Sequence, residues 1–144
     1  MKHFNIRVYG ILIQDSNVLV SDEYIKGKNI TKFPGGGLEY GEGTKECLIR
    51  EFKEELNLKI EVLSHFYTTD FFVNSAFNNQ SQVISIYYYV KALENLNFKT
   101  SITQFDFTEK KEGAQSMRWI PLKSVSESDF TFIIDKHVGE MLEK

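Results

Sequence analysis

Glu51, Glu54 and Glu55 stand at i, i+3 and i+4. In a helix that spacing turns all three carboxylates to one side. Like charges so placed cost a helix about 0.2–0.5 kcal/mol per pair in water, and more where water is scarce. A solvated face would usually mix signs, so three convergent carboxylates point to a cation among them. The plain alternative is an acidic surface, because a bare Glu-x-x-Glu-Glu run is common in charged helices. Hard oxygen ligands select Mg²⁺, Mn²⁺ or Ca²⁺ over zinc. Mg²⁺ completes its shell with water and substrate phosphate, so the chemistry implied is on a phosphorylated compound.

The element that must hold these groups is a helix over Thr44–Leu56, with Leu48, Phe52 and Leu56 forming its apolar stripe. Thr44 is the expected N-cap, with acidic Glu46 in the first turn. Asn57 falls where a left-handed C-terminal residue is expected. Just upstream, Phe33-Pro34-Gly35-Gly36-Gly37 is a run that no helix or long strand tolerates, but that lets backbone approach a ligand closely.

Strands are predicted around this segment. Phe4–Ile13 alternates and then turns apolar on both faces, as a buried strand does. The turn cluster Asp15-Ser16-Asn17 leads to a second strand over Val18–Ile25, giving a hairpin. Lys26–Lys32 reads as a polar loop. Lys59–Val73 and Gln82–Leu93 read as strands joined by Asn74–Ser81, and Gln115–Ile120 as a short strand. Asn95–Ala114 is a long irregular loop of the kind that often carries function. Pro121 suits the start of a short helix, and Ile134, Val138, Met141 and Leu142 mark a final amphipathic one.

The full segment reads Gly36, five residues, Glu42, seven residues, Arg50-Glu51-Phe52, one residue, Glu54-Glu55, one residue, Asn57-Leu58. It resembles the Nudix box, G-x₅-E-x₇-R-E-U-x-E-E-x-G-U, where U is a bulky aliphatic residue. Phe52 is an aromatic variant at U. Asn57 replaces the usual Gly and tolerates the same left-handed backbone. The resemblance implies a Nudix α/β/α sandwich with a mixed β-sheet, the box forming a loop-helix-loop, and residues 1–144 making one domain.

The resemblance also implies roles. Glu51 and Glu55 would be principal metal ligands, Glu54 a direct or water-mediated one, and the Gly35 carbonyl a backbone ligand. Arg50 would orient Glu51 through a charge-assisted hydrogen bond. Glu42 would hold the loop to the helix. The expected cofactor is Mg²⁺, with Mn²⁺ as a substitute, and the reaction is hydrolysis of a diphosphate linkage in a nucleotide-like molecule. The general base is a box glutamate such as Glu54 or an acid on a later loop. Glu109 and Glu112 are available there, and Lys111-Glu112-Gly113 is similar to the Lys-Glu-Gly of MutT-type members, which favours Glu112. Substrate contacts are expected from the backbone of Gly36 and Gly37, from Lys26, Lys28 and Lys32 to phosphate, and from Tyr24 and Phe71 to a base.

The motifs typical of NADH and coenzyme A members are not found, and the proline that follows the box in many ADP-ribose members is missing, since the only prolines are Pro34 and Pro121. Elimination leaves a MutT-like nucleoside triphosphate pyrophosphohydrolase or a related generalist. A non-catalytic Nudix-fold nucleotide-binding module is the competing reading, and the intact Arg50, Glu51, Glu54 and Glu55 argue against it. His3, His65 and His137 lie in no metal-like spacing, and Cys47 has no partner pattern for a nucleophile.

Composition sets the outer bounds. The chain has 144 residues, 42% hydrophobic and 26% charged, which suits one globular domain. A net charge of −3 argues against long nucleic acid as a partner. No stretch approaches the roughly 20 apolar residues of a membrane helix, and none forms a signal peptide. A single cysteine, Cys47, suits a reducing compartment, so a cytoplasmic protein is expected. Family members are often dimers, so the resemblance admits a homodimer.

Overall fold

The computed structural model describes residues 1–143. Along them run β1 (His3–Gln14), β2 (Asn17–Ile25), β3 (Lys28–Lys32), β4 (Gly35–Gly37), α1 (Thr44–Leu56), β5 (Ile60–Thr68), β6 (Ser81–Ala92), β7 (Thr100–Ser101), β8 (Gln115–Pro121) and α2 (Ile133–Met141). A 3₁₀ turn, Glu127–Asp129, precedes α2. No helix of the described residues is long and apolar enough to cross a membrane. The chain gathers into two compact units. One is Met1–Leu12 with Pro34–Asn97, and the other is Ile13–Phe33 with the residues from Phe98 onward.

The first unit holds a mixed sheet and α1. β1 runs parallel to β6, from His3 opposite Ser81 to Leu12 opposite Val90. β4 joins the other edge of β1 antiparallel, with Val8 opposite Gly36 and Tyr9 opposite Gly35. β5 pairs antiparallel with β6. Val8 to Leu12 are all buried, so this stretch of β1 is covered on both faces as its sequence predicts. α1 buries Leu48, Phe52 and Leu56, its expected stripe, and each such side chain contributes roughly 1.5–3 kcal/mol. Phe52 lies so close to Gly10 that a Cβ there would stand 2.7 Å from the ring. That absent side chain lets the helix seat directly on β1.

In the second unit β2 is central, pairing antiparallel with β3 and β8, while β7 runs parallel to β8. The last residues of β1 join it, Ile13 opposite Val18 and Gln14 opposite Asn17. Asp15 and Ser16, both at positive φ (50° and 63°), make the tight turn between β1 and β2. Two consecutive left-handed residues match the twist of flanking strands. α2 buries Ile134 and Val138, and Phe130 just before it stacks on Phe33 at 4.5 Å.

Several sequence expectations change. Lys26–Lys32 is not a loop. Lys26 and Gly27, at φ 50° and 76°, form a second tight turn, and Lys28–Lys32 returns as β3. The segment hid because Ile30 is its single apolar side chain, and Lys is an unusual first residue for such a turn. The strand expected over Lys59–Val73 stops at Thr68. Pro121 ends β8 and starts no helix. Its carbonyl accepts from the amides of Ser124 and Val125, closing a turn. Inside the long loop, Thr100 and Ser101 form β7.

Candidate metal and catalytic site

The box folds within the first unit as loop, helix, loop. The cap falls one residue earlier than expected. Gly43 is the N-cap, with extended backbone, and the Glu46 carboxylate accepts its N–H at 2.8 Å. Glycine has no side chain to return that bond. Thr44 is the first helical residue and hydrogen-bonds the Tyr88 hydroxyl at 2.7 Å, tying the helix entrance to β6. At the exit, Asn57 takes the left-handed conformation (φ 48°, ψ 42°), and its N–H reaches the Lys53 carbonyl at 3.0 Å. The replacement of Gly by Asn is therefore accommodated.

Arg50 is the hub. Its Nε and Nη2 donate to Glu42 at 3.0 and 2.7 Å, and Nη2 also reaches the Gly37 carbonyl at 3.1 Å. Nη1 donates to Glu51 and to Glu54, both at 3.1 Å. One planar guanidinium thus fastens the glycine loop, the helix-entry acid and two box carboxylates. The contact to Glu42 draws that carboxyl down to about 2, chiefly through the Arg50 hydrogen bonds, and holds the Arg50 pKa above its ordinary value. Glu42 also accepts the Glu39 amide at 3.0 Å.

Glu51 stands differently. Its side chain is only 12% exposed, and it lies against Gly36 so closely that a Cβ on Gly36 would overlap the carboxyl group. Burial, followed by the charge of Glu55, pushes its pKa up, while Arg50 opposes both. A half-buried carboxylate crowded by a second one is a group that an added cation would stabilise. Glu54 and Glu55 are exposed. Among the described residues no three acidic, His or Cys side chains stand close enough to cage a metal, and Glu54 is turned toward Arg50. Oxygen donors of this kind suit a hard divalent cation. Cys47 is buried beside the hub, with Sγ 3.5 Å from the Gly37 carbonyl, and burial pushes its thiol up to about 12, which fits no nucleophile.

The other expected contacts are divided between the two units. Phe71 is partly exposed on the segment after β5, in the first unit. Tyr24, Lys26, Lys28, Lys32 and Glu112 belong to the second unit. There Glu112 Oε1 accepts the Lys26 N–H at 2.7 Å, and Lys110 lies over the Tyr24 ring at 5.1 Å. Lys28 is exposed in β3. Lys32 is buried, and its ammonium pairs with Glu23 at 3.2 Å. Lys32, expected on a polar loop to meet phosphate, is instead carried into the sheet by β3 and paired there.

A helix bearing acids, entered by a glycine strand and locked by one arginine, lies beside a mixed sheet, and solved structures share this α/β fold. A MutT Nudix hydrolase from Burkholderia pseudomallei superposes with a TM-score of 0.72 at 13% identity, covering 100% of each chain. An ADP-ribose pyrophosphatase from Streptococcus suis gives 0.62 at 16% identity, over 96% of this chain and 86% of that one. A Nudix hydrolase from Nitrosomonas europaea gives 0.62 at 18%, over 96% and 80%. No curated protein sequence matches. The NUDIX domain profile matches residues 3–138, and the chain belongs to the Nudix family. It is accordingly a hydrolase with the Nudix fold.

Proposed function

We propose that the chain cleaves the diphosphate linkage of a nucleoside diphosphate joined to another group, with a MutT-like nucleoside triphosphate as the first candidate substrate and Mg²⁺, or Mn²⁺ in its place, as cofactor. On this reading residues 1–144 act as one Nudix domain. Glu51 and Glu55 would hold the metal with the Gly35 carbonyl, and Glu54 directly or through water. When bound, the metal would neutralise the diphosphate oxygens and acidify a water. The chain's own contribution is positional. Arg50 aims Glu51 and opposes the rise in its pKa, Gly36 leaves room for its carboxylate, and Glu42 keeps Arg50 in place. Glu54 is 57% exposed and can turn from Arg50 without disturbing the core. The proton of the attacking water would pass to Glu112 or Glu54. Lys26, Lys28, Tyr24 and Phe71 are proposed substrate contacts, as is the backbone of Gly36 and Gly37.

The observation that carries the proposal is Glu51, a half-buried carboxylate wedged on Gly36, fixed by Arg50 and crowded by Glu55. Phosphate and pyrophosphate release is the test, over nucleoside triphosphates, oxidised nucleotides, ADP-ribose, dinucleoside polyphosphates and nucleotide sugars, with and without Mg²⁺. Metal-dependent release from one class, lost in Glu55→Gln, is the expected result. Turnover that ignores Mg²⁺, or that survives the substitution, overturns the proposed metal site.

A further inference from the structure

Asp22 is a fully buried carboxylate in the middle of β2. Its two oxygens take four hydrogen bonds. Oδ1 accepts the Thr31 hydroxyl at 2.7 Å and Arg118 Nη2 at 3.0 Å. Oδ2 accepts Arg118 Nε at 2.8 Å and the backbone N–H of Phe105 at 3.1 Å. A carboxylate offers about four acceptor positions, so this one is saturated. Three of the bonds come from neighbouring strands and would suffice to tie the sheet together. The fourth reaches into the long segment between β7 and β8.

The residue it catches is unusual. Phe105 has φ of +57°, a left-handed backbone that a bulky side chain seldom adopts. Such residues persist where the surroundings over-determine them, and they cluster where position matters. Around Phe105 the chain is pinned further. Gln104 Nε2 reaches the Thr31 hydroxyl at 3.4 Å, the Phe107 amide reaches the Phe105 carbonyl at 2.9 Å, and Ser101 Oγ donates to Asp106 at 2.7 Å. The far end of the same segment is fastened to the same strand. Tyr24 exchanges backbone bonds with Gly113 (2.9 Å) and Ala114 (3.0 Å), and Glu112 caps the Lys26 amide. Asp22, Tyr24 and Lys26, every second residue, thus hold residues 105–114 at both ends.

We infer that Asp22 is a positioning residue: it orders the 105–113 segment through the Phe105 amide, and by doing so sets Glu112 in place for hydrolysis. The catalytic half of this inference rests on the proposed role of Glu112. The anchoring half stands on the geometry alone.

Phe105→Pro separates the anchor from the core. Proline removes the N–H and cannot take a positive φ, yet it leaves the buried Asp22–Arg118–Thr31 contacts intact. Asp22→Asn is the companion variant, compared only if it melts cooperatively. The readouts are amide hydrogen exchange across the chain, and kcat and KM for Mg²⁺-dependent hydrolysis of deoxyguanosine triphosphate and ADP-ribose as probes. Phe105→Pro should speed exchange over residues 103–113 by about tenfold or more, the loss of one hydrogen bond to a charged group, with α1 unchanged. The kcat should fall to the level of Glu112→Gln with KM moved by less than about twofold, and the double variant should fall no further, as for residues acting through one group. Unchanged exchange in Phe105→Pro overturns the anchor. Faster exchange with full kcat, while Glu112→Gln is impaired, overturns the positioning role. Faster exchange with Glu112→Gln fully active upholds the anchor and overturns the role of Glu112 instead.

Discussion

Adding one methyl group at Gly36 tests the logic of the site more sharply than removing a carboxylate. Gly36 is buried on β4 opposite Val8, and its backbone is not in the left-handed region, so alanine brings no conformational strain there. The new Cβ would stand 2.5 Å from Glu51 Cδ and 2.8 Å from Oε1, where ordinary contact begins at 3.4 Å. Backbone on both sides is fixed by β1 and α1, so the carboxylate, the end of a flexible side chain, must yield. It has to retreat by about an ångström, and a displacement of that size can cost on the order of a hundredfold in turnover. The 3.1 Å bond to Arg50 is strained or lost with it, worth about 1.5–3 kcal/mol for a charged pair and reduced by what water replaces. Misplaced metal ligands and their supports typically cost 10–100-fold in affinity or activity. The fold itself should hardly notice, with a melting temperature within about 5 °C of the parent. Mn²⁺ titration followed by turnover and by thermal shift, on parent and Gly36→Ala side by side, reads both effects. Near-parental Mn²⁺ affinity and turnover in Gly36→Ala would refute the claim that the Glu51 position is set by the absent side chain.

Two pH predictions carry opposite signs. Burial and Glu55 hold the Glu51 pKa above its ordinary 4.5, so ionising it opposes folding of the metal-free protein. The favourable contribution is present in acid and is lost as pH rises through the raised value. Glu51→Gln should therefore melt higher than the parent at pH 8 in EDTA, by about 2–4 °C for each kcal/mol of relief, and the gain should vanish below pH 4.5. A lower melting temperature for the variant at pH 8 would contradict this. Glu42 behaves the other way, because Arg50 holds its carboxyl at about 2. Its contribution is present above 4.5 and fades as pH falls toward 2. Glu42→Gln should melt lower at pH 7 and lose less than the parent between those two pH values. Parallel acid-melting curves for both proteins would show that Glu42 is not held as described.

How much was legible beforehand depends on where each interaction closes. The box could be read because its parts are local: three carboxylates within one helical turn, an apolar stripe at the same period, a glycine run before it and Asn57 after it. Arg50 was expected to reach Glu51, its sequence neighbour. Its bond to the Gly37 carbonyl was not foreseen, because the loop had to fold back across the helix first. β3 was missed for a related reason, since Lys28–Lys32 becomes a strand only by pairing with β2 and by burying Lys32 against Glu23. Asp22 is the extreme case. Between Ser21 and Glu23 it reads as one polar position among three, while its partners lie 9, 83 and 96 residues away. No periodicity marks a carboxylate whose neutralising arginine comes from another strand. The groups proposed to carry the chemistry were therefore visible in the sequence, whereas those proposed to position the long loop were not. Substitutions that spare every box residue yet alter turnover should accordingly concentrate at nonlocal contacts such as Asp22 and Phe105.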